Sequence, residues 1–456
     1  MARDQIDMTP IESRDELAAW MAHGAKPPET FRLGTEHEKF AFTMEGHRPV
    51  PYQGQRGIRA LLEGMQMLLG WDPIMEGENI IGLFDVTGGG AITLEPGGQF
   101  ELAGAPYDSV HQTYAELHAH LAQVREVAGS LGIGFLGVGM TPDWRRDEMP
   151  VMPKGRYRIM TSYMPKVGTR GLDMMYRTCT VQTNLDFSSE QDMVKKLRVA
   201  LALQPVATAF FANSPFTDGK PNGFLSARSE IWRDTDNARA GMLAWAFEPG
   251  MGFERWVDYA LDVPMYFLKR GDQYVDVSGL SFRKLLAGEL KERPGERASI
   301  SDWANHLSTI FPEVRLKRYL EMRGADSGPW KRLAALPAFW AGLLYDQASL
   351  DAAWDIVKDW SAEDRQALRD AVPRLGFKAT IRNRTMLDLA REVLGLVEQG
   401  LVRRKRLDRT GRDETRYLLP LQETAARGMT PAEELLEKFH GPWHGAIDPI
   451  YSEYAY

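Results

Sequence analysis

The sequence predicts an α+β protein built on a largely antiparallel sheet. Two sets of observations lead there. Residues 79 to 103 alternate short strand-like pieces with "TGGG" and "PGG" turns, the pattern of hairpins. Strand-like runs return at "YRTCTVQTNLDF" and "VRLKRYLEMR", while helical spacing dominates between them and from about Pro329 onward. Strands and helices gathered in groups, rather than alternating strictly one for one, favour α+β over a parallel α/β design. No internal repeat or low-complexity linker interrupts the 456 residues. One domain, 1–456, is therefore expected, with 330–456 a mostly helical subregion.

The elements follow in order. Residues 10 to 23 read as a short helix, with Ser13 and Glu16 placed as a capping box. "FRLGTEHEKFAF", residues 31 to 42, reads as a strand. Ile58, Leu61, Leu62, Met65 and Leu69 mark a helix over 55 to 69. The hairpins come next, then a longer helix from about Asp108 to Ser130. "GIGFLGVG" is a buried strand or loop, "YRTCTVQTNLDF" a strand, and 190 to 212 a helix. "VRLKRYLEMR", residues 314 to 323, is expected as one strand.

Composition narrows the function. Apolar residues make up 44% and charged residues 26%, which is a soluble globular profile. The net charge of −7 argues against a general binder of nucleic acid or anionic membrane, since both need a basic surface. The longest apolar stretch, "VALALQPVATAFFANSPF", is broken by Gln204, Pro205 and Pro215 and does not read as a membrane span. Cys179 is the single cysteine, so neither an internal disulfide nor a cysteine metal cluster can form. With no secretory signal in "MARDQIDMTP", this suggests the cytoplasm.

The chemistry lies in the alternation. Successive strand side chains point to opposite faces. Glu36 and Glu38 therefore share a face, with His37 opposite. Glu95, Gln99 and Glu101 share one if "PGGQ" keeps the alternation. Gln182, Asn184 and Asp186 share one, as do Glu321 and Arg323. Four stretches thus present polar, mostly acidic faces backed by apolar ones. Such a wall repels itself unless cations are held there, and hard cations such as Mg²⁺ prefer oxygen ligands. Two basic segments could meet anions: Lys154, Arg156 and Arg158 in "MPKGRYRIM", and Arg228 and Arg233 in "FLSARSEIWRDTD". For Arg158 and Arg233, ordinary salt bridging is the favoured reading.

Familiar motifs fail. "HEKFA" has Ala41 where a zinc protease has its second histidine. "GIGFLG" follows a helix instead of opening one, and "TGGGAITLEPGG" lacks the end of a phosphate-binding P-loop. His118, His120, His440 and His444 read as surface or locally bonded residues.

"GTEHEKF", "LEPGGQFELAGAP", "MPKGRYRIM", "RTCTVQTNLDFSSE", "GKPNGFLSARS" and "FPEVRLKRYLEMRGAD", continuing to "MTPAEELLEKFHG", strongly resemble the plant-type glutamate–cysteine ligases also found in proteobacteria. The resemblance implies a glutamine-synthetase-like curved, funnel-forming antiparallel sheet with helices outside. It implies that ATP phosphorylates the γ-carboxylate of L-glutamate and that the amine of L-cysteine displaces the phosphate. It also implies two or more Mg²⁺ ions on Glu36, Glu38, Glu95, Glu101 and Glu321. Arg323, with Glu321, is the expected catalytic pair, stabilising the transferring phosphoryl group. Lys154, Arg156, Gln182, Asn184 and Arg228 are the expected contacts to glutamate or ATP. A monomer or homodimer without nucleic-acid or membrane partners is expected. Plant members are regulated by disulfides, and Cys179 alone cannot supply an internal one. A ligase joining glutamate to another amine presents the same acidic face, so the choice of cysteine rests on the resemblance.

Overall fold

The computed structural model describes residues 7–456. Nine strands form one sheet: β1 (Leu33–Thr43), β2 (Asp72–Glu76), β3 (Asn79–Phe84), β4 (Ala91–Leu94), β5 (Phe100–Ala103), β6 (Ile133–Leu136), β7 (Thr180–Leu185), β8 (Val314–Leu316) and β9 (Leu320–Asp326). Their order is β8-β9-β7-β1-β5-β4-β3-β2, and every pair is antiparallel. β1 is the hub. Its first half pairs with β7 and β5, and its second half pairs with β6. The register sets Glu36 beside Gln182 and Glu38 beside Glu101.

One expectation needs correcting. Residues 314 to 323 form two strands, not one. The chain turns at Lys317–Tyr319, where the Lys317 N–H bonds the Tyr319 carbonyl at 2.9 Å. The turn folds Arg315 back beside Glu321. The alternation of β9 is also broken by a bulge between Met322 and Ala325.

Helices cover the apolar side. Glu190–Phe211 is buried along most of its length. Leu197, Leu201, Val206 and Phe210 share an apolar cluster with Val181 and Leu185 of β7 and Leu320 and Met322 of β9. The C-terminal helices Ala335–Leu344 and Met386–Arg404 belong to the same cluster. They approach closely because Gly342 meets Gly400; a Cβ on Gly400 would overlap the Gly342 carbonyl. A second cluster, including Phe40, Phe100, Leu94, Met65, Phe135 and Tyr157, packs the other half of the sheet. On β1 the alternation holds as expected: His37 and Lys39 are fully buried on the face opposite the two glutamates. His37 Nε2 lies 3.2 Å from the Tyr456 hydroxyl. His120, expected near the surface or locally bonded, is buried 2.7 Å from the Lys39 ammonium. Cys179 is fully buried. No described helix is long and apolar enough to cross a membrane.

Candidate active site

The polar face of the sheet opens into a cavity of about 260 Å³. One wall is acidic. Glu36 and Glu38 come from β1, Glu101 from β5, and Glu95 from the turn joining β4 to β5. That turn needs Gly98 at φ +82°, a conformation glycine adopts without steric cost. Glu95 and Glu101 reach one cavity because the chain reverses between them, not because one strand alternates through both. Gln99 instead anchors the turn, donating to the Met175 and Thr178 carbonyls at 3.1 and 2.9 Å.

The acidic wall is electrostatically costly. Burial pushes the Glu38 carboxyl well above its ordinary range, helped by the Glu95 and Glu101 charges. Burial, Glu95 and Glu36 push Glu101 up to about 8. Local bonds partly offset this: the Thr180 N–H donates to Glu38 at 2.9 Å, and the Thr93 hydroxyl donates to Glu101.

Cations line the same cavity: Lys154, Arg156, Lys269, Arg315, Lys317 and Arg323. Lys154 precedes the helix Gly155–Tyr163, whose first N–H is received by Glu76 at 2.5 Å. Its ammonium donates to the Leu94 carbonyl at 2.8 Å, and burial lowers its pKa to about 8. The Arg156 guanidinium lies 5.6 Å from the Tyr157 ring and 5.5 Å from the Phe267 ring.

Glu321 departs from expectation. It is fully buried and does not border the cavity. Both its oxygens accept from Arg315 Nη2, at 2.7 and 2.9 Å. Lys317 lies 3.3 Å away, and Arg323 also donates to it. Burial alone raises its pKa, but these three cations overcome that and hold it well below the carboxylate range. With its oxygens committed to these cations, Glu321 braces them instead of joining the acidic wall. Asn184 departs as well: it donates to Glu36 at 3.0 Å and does not line the cavity. Gln182 does line it and accepts from Arg323 at 2.6 Å.

A smaller recess of about 80 Å³ adjoins, and the two spaces share Glu38, Glu95, Arg156, Tyr157, Phe311 and Arg323. Arg228 and Trp232 line the recess but not the larger cavity. The Arg228 Nη2 donates to the Arg323 carbonyl at 3.0 Å. Its Nε and Nη1 are buried and find no partner among the described residues. Arg158 does not line either space, and Arg233 pairs with Glu230 and Asp370.

Sequence reasoning missed Arg315, Lys317 and Tyr157. Arg315 and Lys317 stand two apart, as Glu36 and Glu38 do, and that same-face spacing could have marked them.

Residues 32–453 match the family described as glutamate–cysteine ligase family 2. The chain belongs to glutamate–cysteine ligase family 2. The chloroplastic glutamate–cysteine ligase of Nicotiana tabacum is 55% identical over 444 residues, covering 97% of this chain and 83% of the relative. The chloroplastic glutamate–cysteine ligase B of Oryza sativa subsp. japonica is 53% identical over 453 residues, covering 99% and 89%. A crystal structure of a glutamate–cysteine ligase from Francisella tularensis, in complex with AMP, superposes with a TM-score of 0.55 at 14% identity. It covers 92% of this chain and 87% of that one, and shows a shared fold.

These findings bear out the resemblance and the α+β fold. They overturn the cytoplasmic placement, because the family 2 relatives sharing more than half of this sequence are named chloroplastic. The placement had rested on cysteine usage and on the opening residues, neither of which separates one compartment from another.

Proposed function

We propose that this chain joins the γ-carboxylate of L-glutamate to the amine of L-cysteine, with ATP converted to ADP and phosphate. The γ-phosphoryl group of ATP passes to the glutamate γ-carboxylate. The cysteine amine then displaces phosphate from that acyl phosphate and loses a proton, giving γ-glutamylcysteine. One observation carries the reading: carboxylates and cations together line one cavity, in a chain matching the ligase family from residue 32 to 453. Phosphoryl transfer asks the protein for positioning and charge stabilisation, and this cavity supplies both.

The acidic wall fits Mg²⁺. Its donors are all carboxylate oxygens, and burial together with their mutual repulsion raises the pKa of Glu38 and Glu101. Among the described residues no three acidic or histidine side chains converge as a complete metal site. Mg²⁺ is typically held through one or two carboxylates plus substrate phosphates, so full convergence is not required. Glu36, Glu38, Glu95 and Glu101 would hold the ions, enough for two at two carboxylates each. Bound Mg²⁺ neutralises triphosphate charge beside an acidic wall.

The chain's own residues do the rest. Lys154 and Lys317 neutralise phosphate charge. Arg228 and Arg156 receive the substrate carboxylates in the recess, where Arg228 Nε and Nη1 have no hydrogen-bond partner among the described residues. Arg323 borders both spaces, which supports a role in stabilising the phosphoryl group as it passes from nucleotide to glutamate. Gln182 and Glu321 hold its guanidinium in place.

The test is ADP release with Mg²⁺, ATP, L-glutamate and a panel of amines, with the product identified by mass. Cysteine is expected to give the highest kcat/KM. A clear preference for another amine contradicts the assignment.

A further inference from the structure

Arg228 poses a problem of aim. Its guanidinium makes one hydrogen bond within the described chain, leaving two nitrogens for a ligand. A long side chain so lightly tethered points correctly only if its backbone is fixed. That backbone belongs to the five-residue helix Ala227–Ile231. Two hydroxyls hold its first turn. Ser214 Oγ accepts from the Arg228 N–H at 3.2 Å, and Ser226 Oγ accepts from the Ser229 N–H at 3.1 Å.

Both hydroxyls donate to the same carboxylate. Asp326, the last residue of β9, takes Ser214 Oγ at 2.6 Å and the Asn213 N–H at 2.9 Å on Oδ2. It takes Ser226 Oγ at 2.8 Å on Oδ1. Asp326 is 1% exposed. Burial pushes its carboxyl up, and the Arg228 charge is the foremost influence opposing that.

An ionised carboxylate only accepts. It therefore obliges both serines to donate to it, which leaves their lone pairs free for the Arg228 and Ser229 N–H groups. We propose that Asp326 is a positioning residue for substrate binding: through Ser214 and Ser226 it fixes the Arg228 backbone and aims the guanidinium into the recess. It also ties Arg228 to β9, the strand that carries Arg323 three residues earlier. This deepens the reading of the recess as the glutamate site and rests on it. Asparagine is not conservative here, because its NH₂ would donate where a hydroxyl or N–H now donates.

The test compares Asp326→Asn, Ser226→Ala and Arg228→Lys in the full chain, reading kcat and the KM values for glutamate and ATP. Asp326→Asn is expected to raise the KM for glutamate about tenfold, with the KM for ATP within about twofold. Ser226→Ala, a milder change that guards against misfolding of the first variant, is expected to raise it about fivefold. Combining Asp326→Asn with Arg228→Lys should add little to the KM effect of Arg228→Lys alone. A merely structural role would lower the active fraction, and so kcat, while leaving both KM values in place. If Arg228→Lys raises the glutamate KM but neither Asp326→Asn nor Ser226→Ala does, the positioning role is overturned and the glutamate site stands. If Arg228→Lys leaves the glutamate KM unchanged, the recess is not the glutamate site and the inference falls with it.

Discussion

Glu321 and Glu38 are two buried glutamates on one sheet, and their surroundings drive them in opposite directions. Three cations hold Glu321 charged, while burial, helped by neighbouring acids, pushes Glu38 toward its neutral form. Removing one partner of a buried ion cluster leaves uncompensated charge. Glu321→Gln is therefore expected to cost about 3–5 kcal/mol in urea unfolding; wild-type stability would contradict its bracing role. Arg323→Ala should leave the chain folded by circular dichroism and lower kcat about 10²–10³-fold, as expected for loss of a transition-state donor. Glu36 and Glu38 were legible in the sequence because their strand is regular. Glu321 does meet the expected Arg323, but Arg315 and Lys317, brought in by the turn, also take its oxygens. Alternation tells which face a residue shares, but not what another strand brings against it.

At the scale of elements, two turns decide the site. The Lys317–Tyr319 turn converts one expected strand into a hairpin and supplies the cations around Glu321. The β4–β5 turn brings Glu95 to the same cavity as Glu101. The existence of β1, β7 and the long helices could be read from periodicity. The Lys317 turn could not, because "KRY" carries no glycine, proline or asparagine to mark it. Helix packing was equally hidden, since Gly342 and Gly400 meet only in three dimensions. Gly400→Ala is expected to destabilise the chain by about 1–3 kcal/mol through forced separation of two helices. An unchanged urea midpoint would show that the contact can relax without cost.

The whole molecule combines buried bases and buried acids with opposing pH behaviour. Burial lowers the pKa of His37, His120 and His306, the last to about 3. Each stays neutral when folded and takes up a proton on unfolding, so its stabilising share is full above 6.5 and drains as pH falls. Glu101 and Glu116, raised to about 8 and about 7, act the other way: their share is full below 4.5 and is lost as pH rises through those values. The His306 part is isolated by comparing wild type with His306→Gln. Below pH 6.5 the wild type alone should lose about 1.4 kcal/mol per pH unit from this residue, so the stability gap should narrow between pH 7 and 5. A constant gap would contradict a neutral, buried His306. If this cavity performs the ligation, turnover depends on its carboxylates, Glu38 among them. In γ-glutamylcysteine formation followed against Mg²⁺ concentration, Glu38→Gln should fold normally and lose about 10²-fold or more in kcat/KM. Turnover and Mg²⁺ dependence matching the wild type would contradict the account.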